Sequence, residues 1–579
     1  MRKYFPYLLK YRKALWLAPL LVIADVFCEI VQPALMSFIV DKGIHQKDLQ
    51  YILHTGLLMV GLSIIAIASN IGNIYYSSTA SVGFSAELRK GMFKKIQEFS
   101  FSNLDKFSAA SLVTRLTNDV NILQQVIVML LRLLIRAPLM LLFAVIIAIR
   151  INAGLAAVIG VAIPVLSISI YLLLMRGFPF FEAMQTRLDK VNEVIQENLV
   201  SVRVVKSFAR EDFEKQKFGS ANEGLREMAV KASGIVALIM PVMQLVMNVS
   251  IVAIVWFGGN KIIAGAFQVG QLMSFITYIT QILMSLTMLS MTMMTFSRAG
   301  ASSKRILEVL NTEPDITDSA LAIEKNLTVK KGSVEFKDVC FKYHPDGGEY
   351  VLKNINLSIN AGEFVAFIGA TGSAKTTLVQ LIPRLYDVSQ GKVLVDGVDV
   401  RDYRVRNLRN AVGMVLQQNE LFSGTISENL RWGNEHATGE EIIKAAKDAQ
   451  AHDFIMSFPD QYETMLGQGG VNISGGQKQR LCIARALLKK PSILILDDST
   501  SAVDIATDAK IRTALRKEYQ GITTIVIAQR ISSVQSADKI MLLDNGTLAG
   551  SGAHADLLKN SVMYQEIYHS QQLKDIVQK

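Results

Sequence analysis

Six long apolar stretches occupy the first half of this 579-residue chain and constrain its fold more than any other feature. A helix needs roughly 20 apolar residues to cross about 30 Å of hydrocarbon, and each stretch is long enough. They cover approximately residues 14–40, 51–76, 123–149, 153–175, 235–258 and 271–296. The sequence therefore predicts an all-α membrane domain with six spans.

The rest of the chain has a different composition, which indicates a second domain. Half of all residues are hydrophobic, but near residue 332 the apolar runs give way to short strands and helices rich in charge. We place a membrane domain with an N-terminal interfacial helix at 1–325 and an α/β domain at 326–579. The net charge of +10 does not indicate a nucleic-acid partner, because many Lys and Arg residues flank the apolar runs. Three widely separated cysteines argue against a disulfide framework or a zinc site.

The connections between the spans predict the topology. An even number of spans places both termini on one side, and the long, basic connections follow the second and fourth spans. The positive-inside rule therefore places these connections and both termini in the cytoplasm. Their helical periodicity predicts that the spans continue as levers, in which ~25 residues would reach roughly 35 to 40 Å beyond the bilayer. The lever turns are expected near 107–112 and 210–214, where they could dock on a soluble domain.

Four charged residues lie inside the predicted spans. Asp25 and Glu29 share one face of the first span, and Arg132 and Arg136 share one face of the third. Counted from the outer ends of the spans at 1.5 Å per residue, Asp25 and Arg136 lie ~22 Å and ~21 Å deep, so they could pair. Two interpretations remain open: a structural ion pair, and a direct role in binding cationic cargo.

A glycine-rich loop in the second domain predicts a phosphate site. An apolar strand at 364–368 leads into Gly-Ala-Thr-Gly-Ser-Ala-Lys-Thr at 369–376, and a helix follows. Such a loop cradles phosphates with backbone N–H groups, while the lysine reaches the β- and γ-oxygens and the last threonine can ligate Mg²⁺. ATP and Mg²⁺ are thus the expected ligands. The expected binding residues are Gly369, Thr371, Gly372, Ser373, Ala374, Lys375, Thr376 and Thr377. Ala374 replaces the last glycine of the usual motif, which should weaken phosphate approach only mildly.

Three further motifs accompany the loop. An apolar strand near 491–496 ends in Asp497, the position that holds the Mg²⁺ shell in phosphate-loop enzymes. Gln417 lies between the two strands in the sequence. A Ser-Gly-Gly-Gln segment at 474–477 precedes a helix expected at 478–488.

The order and spacing of these motifs resemble the ATP-binding cassette family, and the six spans resemble its type IV exporter branch. The resemblance covers essentially the whole chain. It implies that Tyr343 stacks on adenine, that Gln417 contacts Mg²⁺ and senses the levers, and that Mg²⁺ is held by Thr376, Gln417 and Asp497. It further implies that Ser474, Gly475, Gly476 and Gln477 bind the γ-phosphate held by the opposite subunit, so that each ATP lies between two chains.

Two positions depart from the family pattern. Asp498 stands where the family has a glutamate that activates water, and its carboxylate is one methylene, about 1.5 Å, shorter in reach. Placement of a general base is worth ~10² to 10⁴ in rate, so much of that should be lost. Gln529 stands where the family has a histidine, and a neutral amide carries neither a proton nor a positive charge. The predicted catalytic residues are thus Asp498, Gln529 and Gln417, in a weakened site. That both changes are tolerated in an active site remains the alternative.

The resemblance then implies a partnership. This chain should be the degenerate-site subunit of a heterodimeric exporter in a bacterial plasma membrane, in contact with membrane lipid. Its partner would be a homologous half-transporter that carries the usual Glu and His. The cargo would be a small amphipathic drug or lipophilic compound, consistent with the many methionines in the fifth and sixth spans, which could equally serve packing. A lipid, peptide or metabolite exporter, and a nucleotide-binding regulator that does not transport, remain the alternatives.

Overall fold

The computed structural model describes the backbone of residues 2–344, 347–499 and 503–577. Side chains are described throughout these ranges except at residues 2, 290–295, 297 and 573–577. The chain forms two compact units. One comprises Met1–Gln97 and Ala109–Asn311, and the other comprises Glu98–Ser108 and Thr312–Lys579.

The first unit is entirely helical. Its helices are α1 (Phe5–Leu9), α2 (Arg12–Phe38), α3 (Leu49–Gln97), α5 (Ala109–Thr114), α6 (Val120–Leu131), α7 (Leu133–Ile151), α8 (Ala153–Ser207), α9 (Glu211–Ala237), α10 (Ile239–Ile263) and α11 (Val269–Asn311), while α4 (Phe101–Lys106) belongs to the second unit. Within the described residues, six helical segments are long and apolar enough to cross a membrane. The predicted six-span fold is confirmed.

The two longest helices, α3 and α8, are much longer than a bilayer requires. α3 has 49 residues and α8 has 55, which at 1.5 Å per residue correspond to about 74 and 82 Å. The predicted continuation of the spans as levers is therefore confirmed. The turns overlap the expected ranges but begin earlier: the second occupies residues 208–210, because α9 already begins at Glu211. In the first connection, α4 is formed because Ser100 and Asn103 close a capping box at its N-terminus.

The charged residues of the spans are brought together in the first unit. Arg136 forms ion pairs with both Asp25 and Glu29, so the predicted contact between Asp25 and Arg136 is confirmed. Arg132 lies where α6 ends and α7 begins, and its Nε donates a hydrogen bond to Ser77 Oγ at 2.7 Å. These contacts favour the structural interpretation of the cluster, because Asp25 is buried and already paired.

The second unit contains two main sheets. The first has the strand order β2-β1-β4-β5 and is antiparallel; the second has six strands in the order β12-β11-β3-β10-β9-β6. The strands are β1 (Val334–Phe341), β2 (Leu352–Ile359), β3 (Phe364–Ile368), β4 (Gln390–Val395), β5 (Val398–Asp399), β6 (Val412–Val415), β7 (Gly424–Thr425), β8 (Met465–Leu466), β9 (Ile493–Asp497), β10 (Thr523–Ile527), β11 (Lys539–Asp544) and β12 (Thr547–Gly552).

Helices cover these sheets, so that both faces of the central strands are buried. They are α12 (Ala320–Lys325), α13 (Lys375–Gln380), α14 (Val405–Ala411), α15 (Ile426–Arg431), α16 (Gly439–Asp448), α17 (His452–Met456), α18 (Gly475–Leu488), α19 (Ile505–Glu518), α20 (Ile531–Val534), α21 (His554–Asn560) and α22 (Val562–Val577). β3, β9 and β10 are parallel and buried at every residue. Their carboxyl ends meet at one edge of the sheet, where ligands bind in α/β folds.

The second unit starts earlier than the predicted boundary between residues 325 and 326. Residues 312–325 belong with this unit because they are hydrogen-bonded to its helix α14 and to the loop after α13: Val405 N donates to Asp318 Oδ1 at 2.7 Å, and Arg384 Nη1 donates to the carbonyl of Thr317 at 3.4 Å. The segment Glu98–Ser108, which contains α4, also falls in this unit. Both segments lie outside the predicted cassette at 326–579.

Candidate functional site

The glycine-rich loop connects β3 to α13 and contains two residues with positive φ. Gly372 has φ +85°, and Ala374 has φ +70° and ψ +23°. Glycine adopts this left-handed conformation freely, whereas any other L-residue is strained there by roughly 1 to 2 kcal/mol. The substitution at Ala374 thus strains the backbone, an effect that the sequence alone did not predict. At Gly369 a Cβ would lie 2.1 Å from the carbonyl oxygen of Leu543, so glycine is required.

Lys375 lies at the centre of the loop. Its Nζ donates hydrogen bonds to the carbonyls of Gly369 at 2.9 Å and Ala370 at 2.8 Å, and to Ser373 Oγ at 3.1 Å. Burial lowers the pKa of Lys375, because it disfavours the charged ammonium, although the nearby Asp497 and Asp498 act in the opposite direction. Oxygen atoms of the loop therefore bind the ammonium group of Lys375, and the oxygens of a bound phosphate are suited to replace these loop oxygens.

Asp497 ends β9 and pairs with the first turn of α13. Thr376 Oγ1 donates to Asp497 Oδ1 at 2.9 Å, whereas Oδ2 is buried and has no hydrogen-bond partner within the described part of the chain. Burial, with the adjacent charge of Asp498, raises the pKa of Asp497 to about 6, although Thr376 and Lys375 act to lower it. A buried carboxylate oxygen without a partner, next to a hydroxyl, is a donor set that suits Mg²⁺.

Asp498 and Gln529 contact each other directly. Gln529 Nε2 donates a hydrogen bond to Asp498 Oδ2 at 2.9 Å. Burial raises the pKa of Asp498, while the bond from Gln529 and the charges of Lys375 and Arg530 oppose this effect. Both residues follow the carboxyl ends of neighbouring parallel strands, Asp498 after β9 and Gln529 after β10. The two residues that depart from the family pattern, Asp498 and Gln529, are thus neighbours joined by a hydrogen bond.

A cavity of about 260 Å³ collects most of the predicted residues. It is lined by Thr371, Gly372, Ser373, Ala374, Lys375, Thr376, Thr377, Gln417, Asp497, Asp498 and Gln529, together with Val351 and Ile527. Gln417 reaches it from the loop after β6. The predicted catalytic and metal residues therefore lie together with the predicted phosphate residues other than Gly369, which is not among the lining residues. Val351 is a lining residue that carried no sequence signal.

Tyr343 lies beside this cavity rather than in its lining. Its hydroxyl is hydrogen-bonded to Thr377 Oγ1 at 2.8 Å, and its ring meets Tyr386 edge to face with the ring centroids 5.3 Å apart. The side chain is 38% exposed, so a ring face remains available for stacking. This arrangement is compatible with the predicted contact to adenine.

The signature residues are not part of this cavity. Ser474 caps α18 in a capping box with Gln477, with Ser474 N donating to Gln477 Oε1 at 2.9 Å. Ser474 and Gly475 are exposed, and none of the residues 474–477 is among the described residues that line the cavity. The N-terminus of this 14-residue helix is therefore exposed on the surface of the chain, away from the cavity.

Sequence reasoning missed the residues through which the first connection binds the second unit. Tyr386 Oη donates to Asp105 Oδ2 at 2.7 Å, and the ring of Phe101 packs edge to face on Tyr386. These contacts lie in α4, before the predicted turn at 107–112. The Ser-Phe-Ser-Asn pattern at 100–103 is the signal that could have located this helix.

Comparison with known proteins identifies the family. The profile of the ABC transporter transmembrane region matches residues 15–286, and the ABC transporter profile matches residues 352–501. The chain is 42% identical to the uncharacterized ABC transporter ATP-binding protein YfiB of Bacillus subtilis (strain 168), over 99% of this chain and 98% of that protein. It is 34% identical to the ATP-dependent lipid A-core flippase of Syntrophus aciditrophicus (strain SB), over 95% and 90%. It is 32% identical to the putative multidrug export ATP-binding/permease protein YgaD of Bacillus subtilis (strain 168), over 99% of both.

A solved structure shares the fold over nearly the whole length. The structure of a bacterial Atm1-family ABC exporter with ATP bound is 26% identical and aligns with a TM-score of 0.79, covering 97% of this chain and 98% of that one. Six membrane helices followed by one α/β cassette are the architecture of a half-transporter. The chain therefore belongs to the ABC transporter family and is a multi-pass membrane half-transporter of the exporter type.

Proposed function

We propose that this chain is one subunit of a heterodimeric ATP-driven exporter and that its own ATP site hydrolyses poorly. The partner would be a homologous half-transporter that carries the usual Glu and His. The signature of this chain at 474–477 would complete the partner's site, while the partner's signature would complete the site built on Lys375. The complex would then contain one strong and one weak ATP site. ATP binding and hydrolysis would shift the membrane helices between their two states.

The observation that carries the proposal is the hydrogen bond between Gln529 and Asp498. Gln529 holds the carboxylate of Asp498 at 2.9 Å. Because aspartate is one methylene shorter than glutamate, this carboxylate reaches less far towards a water that it would activate. The neutral amide of Gln529 supplies no positive charge to a γ-phosphate. Both residues face the same cavity as Lys375 and Thr376. The site thus keeps the groups that bind ATP and lacks the groups that favour its cleavage.

The residues of the chain then have separate roles. Lys375 would exchange its loop carbonyls for the β- and γ-oxygens of ATP, and Tyr343 would stack on the base. Thr376, Asp497 and Gln417 would hold Mg²⁺, which when bound supplies positive charge to the phosphate oxygens. Gln529 would donate to the γ-phosphate, and Asp498 would orient water with low efficiency. ATP held in this way would keep the two cassettes closed while the partner's site turns over.

The cargo is proposed to be a small amphipathic compound, and the membrane a bacterial plasma membrane with both termini cytoplasmic. Met240, Met284 and Met288 are about half exposed, and flexible thioether side chains adapt to apolar ligands of different shape. Met291, Met293 and Met294 lie outside the residues whose side chains are described. Lipid is the second candidate, since one relative is named as a lipid A-core flippase.

The test restores the usual residues. In the purified complex of this chain with its partner half-transporter, Asp498→Glu with Gln529→His in this chain should raise the Lys375-dependent part of ATP hydrolysis by at least about tenfold, given that a placed general base contributes ~10² to 10⁴. A matched control is Asp556→Glu with Gln535→His, the same changes at exposed positions outside the cavity. Adding Lys375→Ala should abolish the gain if it arises at this chain's own loop.

Two outcomes would contradict the proposal. One is rapid hydrolysis by the unaltered chain without any partner, lost on Asp498→Ala. The other is a restored double variant that hydrolyses no faster than the control. Purification of the chain from its native membrane supplies an independent check, because a heterodimer requires a second half-transporter to accompany it in equal amount.

A further inference from the structure

The side-chain amide of Gln571, in α22, bridges both ends of the short loop that carries Gln529. Gln571 Nε2 donates a hydrogen bond to the backbone carbonyl of Gln529 at 2.8 Å. In the opposite direction, the backbone N–H of Ile531 donates to Gln571 Oε1 at 2.8 Å. One side chain therefore satisfies a donor and an acceptor of a loop that lies about 40 residues earlier in the chain.

The loop is anchored by its buried flanking residues, Ala528 and Ile531, but its two central residues are not. Gln529 and Arg530 are exposed, and α20 starts at Ile531 with no side-chain cap from Arg530. The N–H groups in the first turn of a helix lack intrahelical partners, so an outside acceptor is needed there. Gln571 Oε1 supplies it to the first residue of α20 in place of a local cap.

α22 is itself well anchored before it reaches Gln571. Tyr564 is fully buried, and its hydroxyl is hydrogen-bonded to His554 Nδ1 at 2.7 Å. Ile567 and Tyr568 pack against the core beneath the main sheet. Gln571 thus projects from an anchored helix and holds the backbone of the loop, while Asp498 accepts a hydrogen bond from the side chain of Gln529.

We propose that Gln571 is a positioning residue for Gln529, which makes the C-terminal helix part of the γ-phosphate end of this chain's nucleotide site. The inference rests on the proposed role of Gln529 at the γ-phosphate. Gln571 fixes the backbone of Gln529, and the backbone aims the side-chain amide at the cavity, where it meets Asp498. A loop released from Gln571 lets that amide turn away, and the site then discriminates less between a triphosphate and a diphosphate.

The experiment measures this discrimination in the full-length chain reconstituted in nanodiscs. Dissociation constants are measured with Mg²⁺ for a non-hydrolysable ATP analogue that keeps its γ-phosphate and for ADP. Gln571→Ala should lower the ratio of the affinity for the ATP analogue to the affinity for ADP by roughly three- to tenfold, which corresponds to the contribution of one or two hydrogen bonds. The affinity for ADP should remain unchanged. The matched control is Gln572→Ala, because Gln572 Nε2 donates instead to Tyr568 Oη at 2.7 Å.

A double variant shows whether Gln571 acts through Gln529. If it does, Gln571→Ala causes no further loss of discrimination in a Gln529→Ala background, because the amide that it positions is gone. Gln571→Glu should resemble Gln571→Ala, since a carboxylate cannot donate to the carbonyl of Gln529.

Three results would overturn the inference. Equal weakening of both nucleotides by Gln571→Ala, with a lower thermal midpoint, would mean that Gln571 is only structural. A reduced ratio in Gln529→Ala but not in Gln571→Ala would refute the inference alone. An unchanged ratio in Gln529→Ala would refute the proposed role of Gln529, and the inference with it.

Discussion

Replacing Ala374 with glycine should stabilise the cassette, although the same change is harmful in the interior of a helix. Ala374 adopts φ +70° and ψ +23° immediately before α13. In that conformation the Cβ of an L-residue lies too close to the following carbonyl, which costs roughly 1 to 2 kcal/mol. Glycine removes this strain without removing any side-chain hydrogen bond, since alanine makes none.

The net effect is smaller than the strain, because glycine also has more freedom in the unfolded chain. That entropic term opposes the gain by about 0.4 to 1 kcal/mol. A net stabilisation of about 0.5 to 1 kcal/mol remains. For a unit of this size, about 1 kcal/mol corresponds to roughly 2 °C in thermal midpoint. We therefore expect Ala374→Gly to raise the midpoint of the cassette by about 1 to 2 °C.

The assay uses the fluorescence of Trp432, the single tryptophan among residues 326–579. Its ring stacks on Phe422 with the centroids 4.0 Å apart, so unfolding of the cassette should change its emission. Trp16 and Trp256 lie in the membrane helices and are replaced by phenylalanine in all variants. Ala509→Gly is the control, because Ala509 is exposed within α19 and glycine in a helix interior costs about 1 kcal/mol.

The two substitutions should thus shift the midpoint in opposite directions. A decrease in Ala374→Gly similar to that in Ala509→Gly would mean that residue 374 is not held in a left-handed conformation. The strain argument would then be wrong, and the substitution of the last loop glycine would need another explanation.

Three further predictions concern the metal site, the base contact and the membrane cluster. The pKa of Asp497 is raised to about 6, and Mg²⁺ requires the carboxylate form of this residue. The apparent affinity for Mg²⁺-nucleotide, measured by titration calorimetry, should therefore fall roughly fourfold between pH 7.5 and pH 5.5. An Asp497→Asn variant should lack this pH dependence. Tyr343→Ala should weaken ATP binding by about tenfold while Tyr343→Phe should have little effect, since stacking on a base contributes ~1 to 3 kcal/mol and the ring is kept in the latter. Arg136→Gln should lower the thermal midpoint of the membrane unit more than Arg150→Gln, measured by scanning calorimetry, because two carboxylates lose their partner in the former.

Features that depend on neighbouring residues could be predicted from the sequence. The spans follow from the length of apolar runs, and β3 follows from a buried run of five apolar residues that leads into the loop. The phosphate loop and Asp497 each depend on a few consecutive residues, and the helix expected at 478–488 is found as α18, which begins three residues earlier at Gly475. The family assignment depends on their order alone, and the family comparison confirms it. The roles assigned to the individual site residues remain predictions.

Features that join distant parts of the chain could not be predicted in the same way. The contact of α4 with Tyr386, almost 300 residues away, could not be predicted, although the capping box that starts this helix is local. The cassette also begins before residue 326, the start predicted from composition. Thr317 and Asp318 accept hydrogen bonds from Arg384 and Val405, which lie more than 60 residues later in the chain. The backbone of Ala374 is a local feature, but its cost appears only when φ is known.

The sequence by itself determined that the chain crosses a membrane with six helices and carries a phosphate loop, because apolarity, chain stiffness and turn formation act over a few residues. It also determined which two residues, Asp498 and Gln529, depart from the family pattern. Only the tertiary structure decided that these two are hydrogen-bonded, that Arg136 joins both Asp25 and Glu29, and that Gln571 holds the loop of Gln529. Such contacts arise when the folded core brings distant segments to fixed separations, and no local pattern records them.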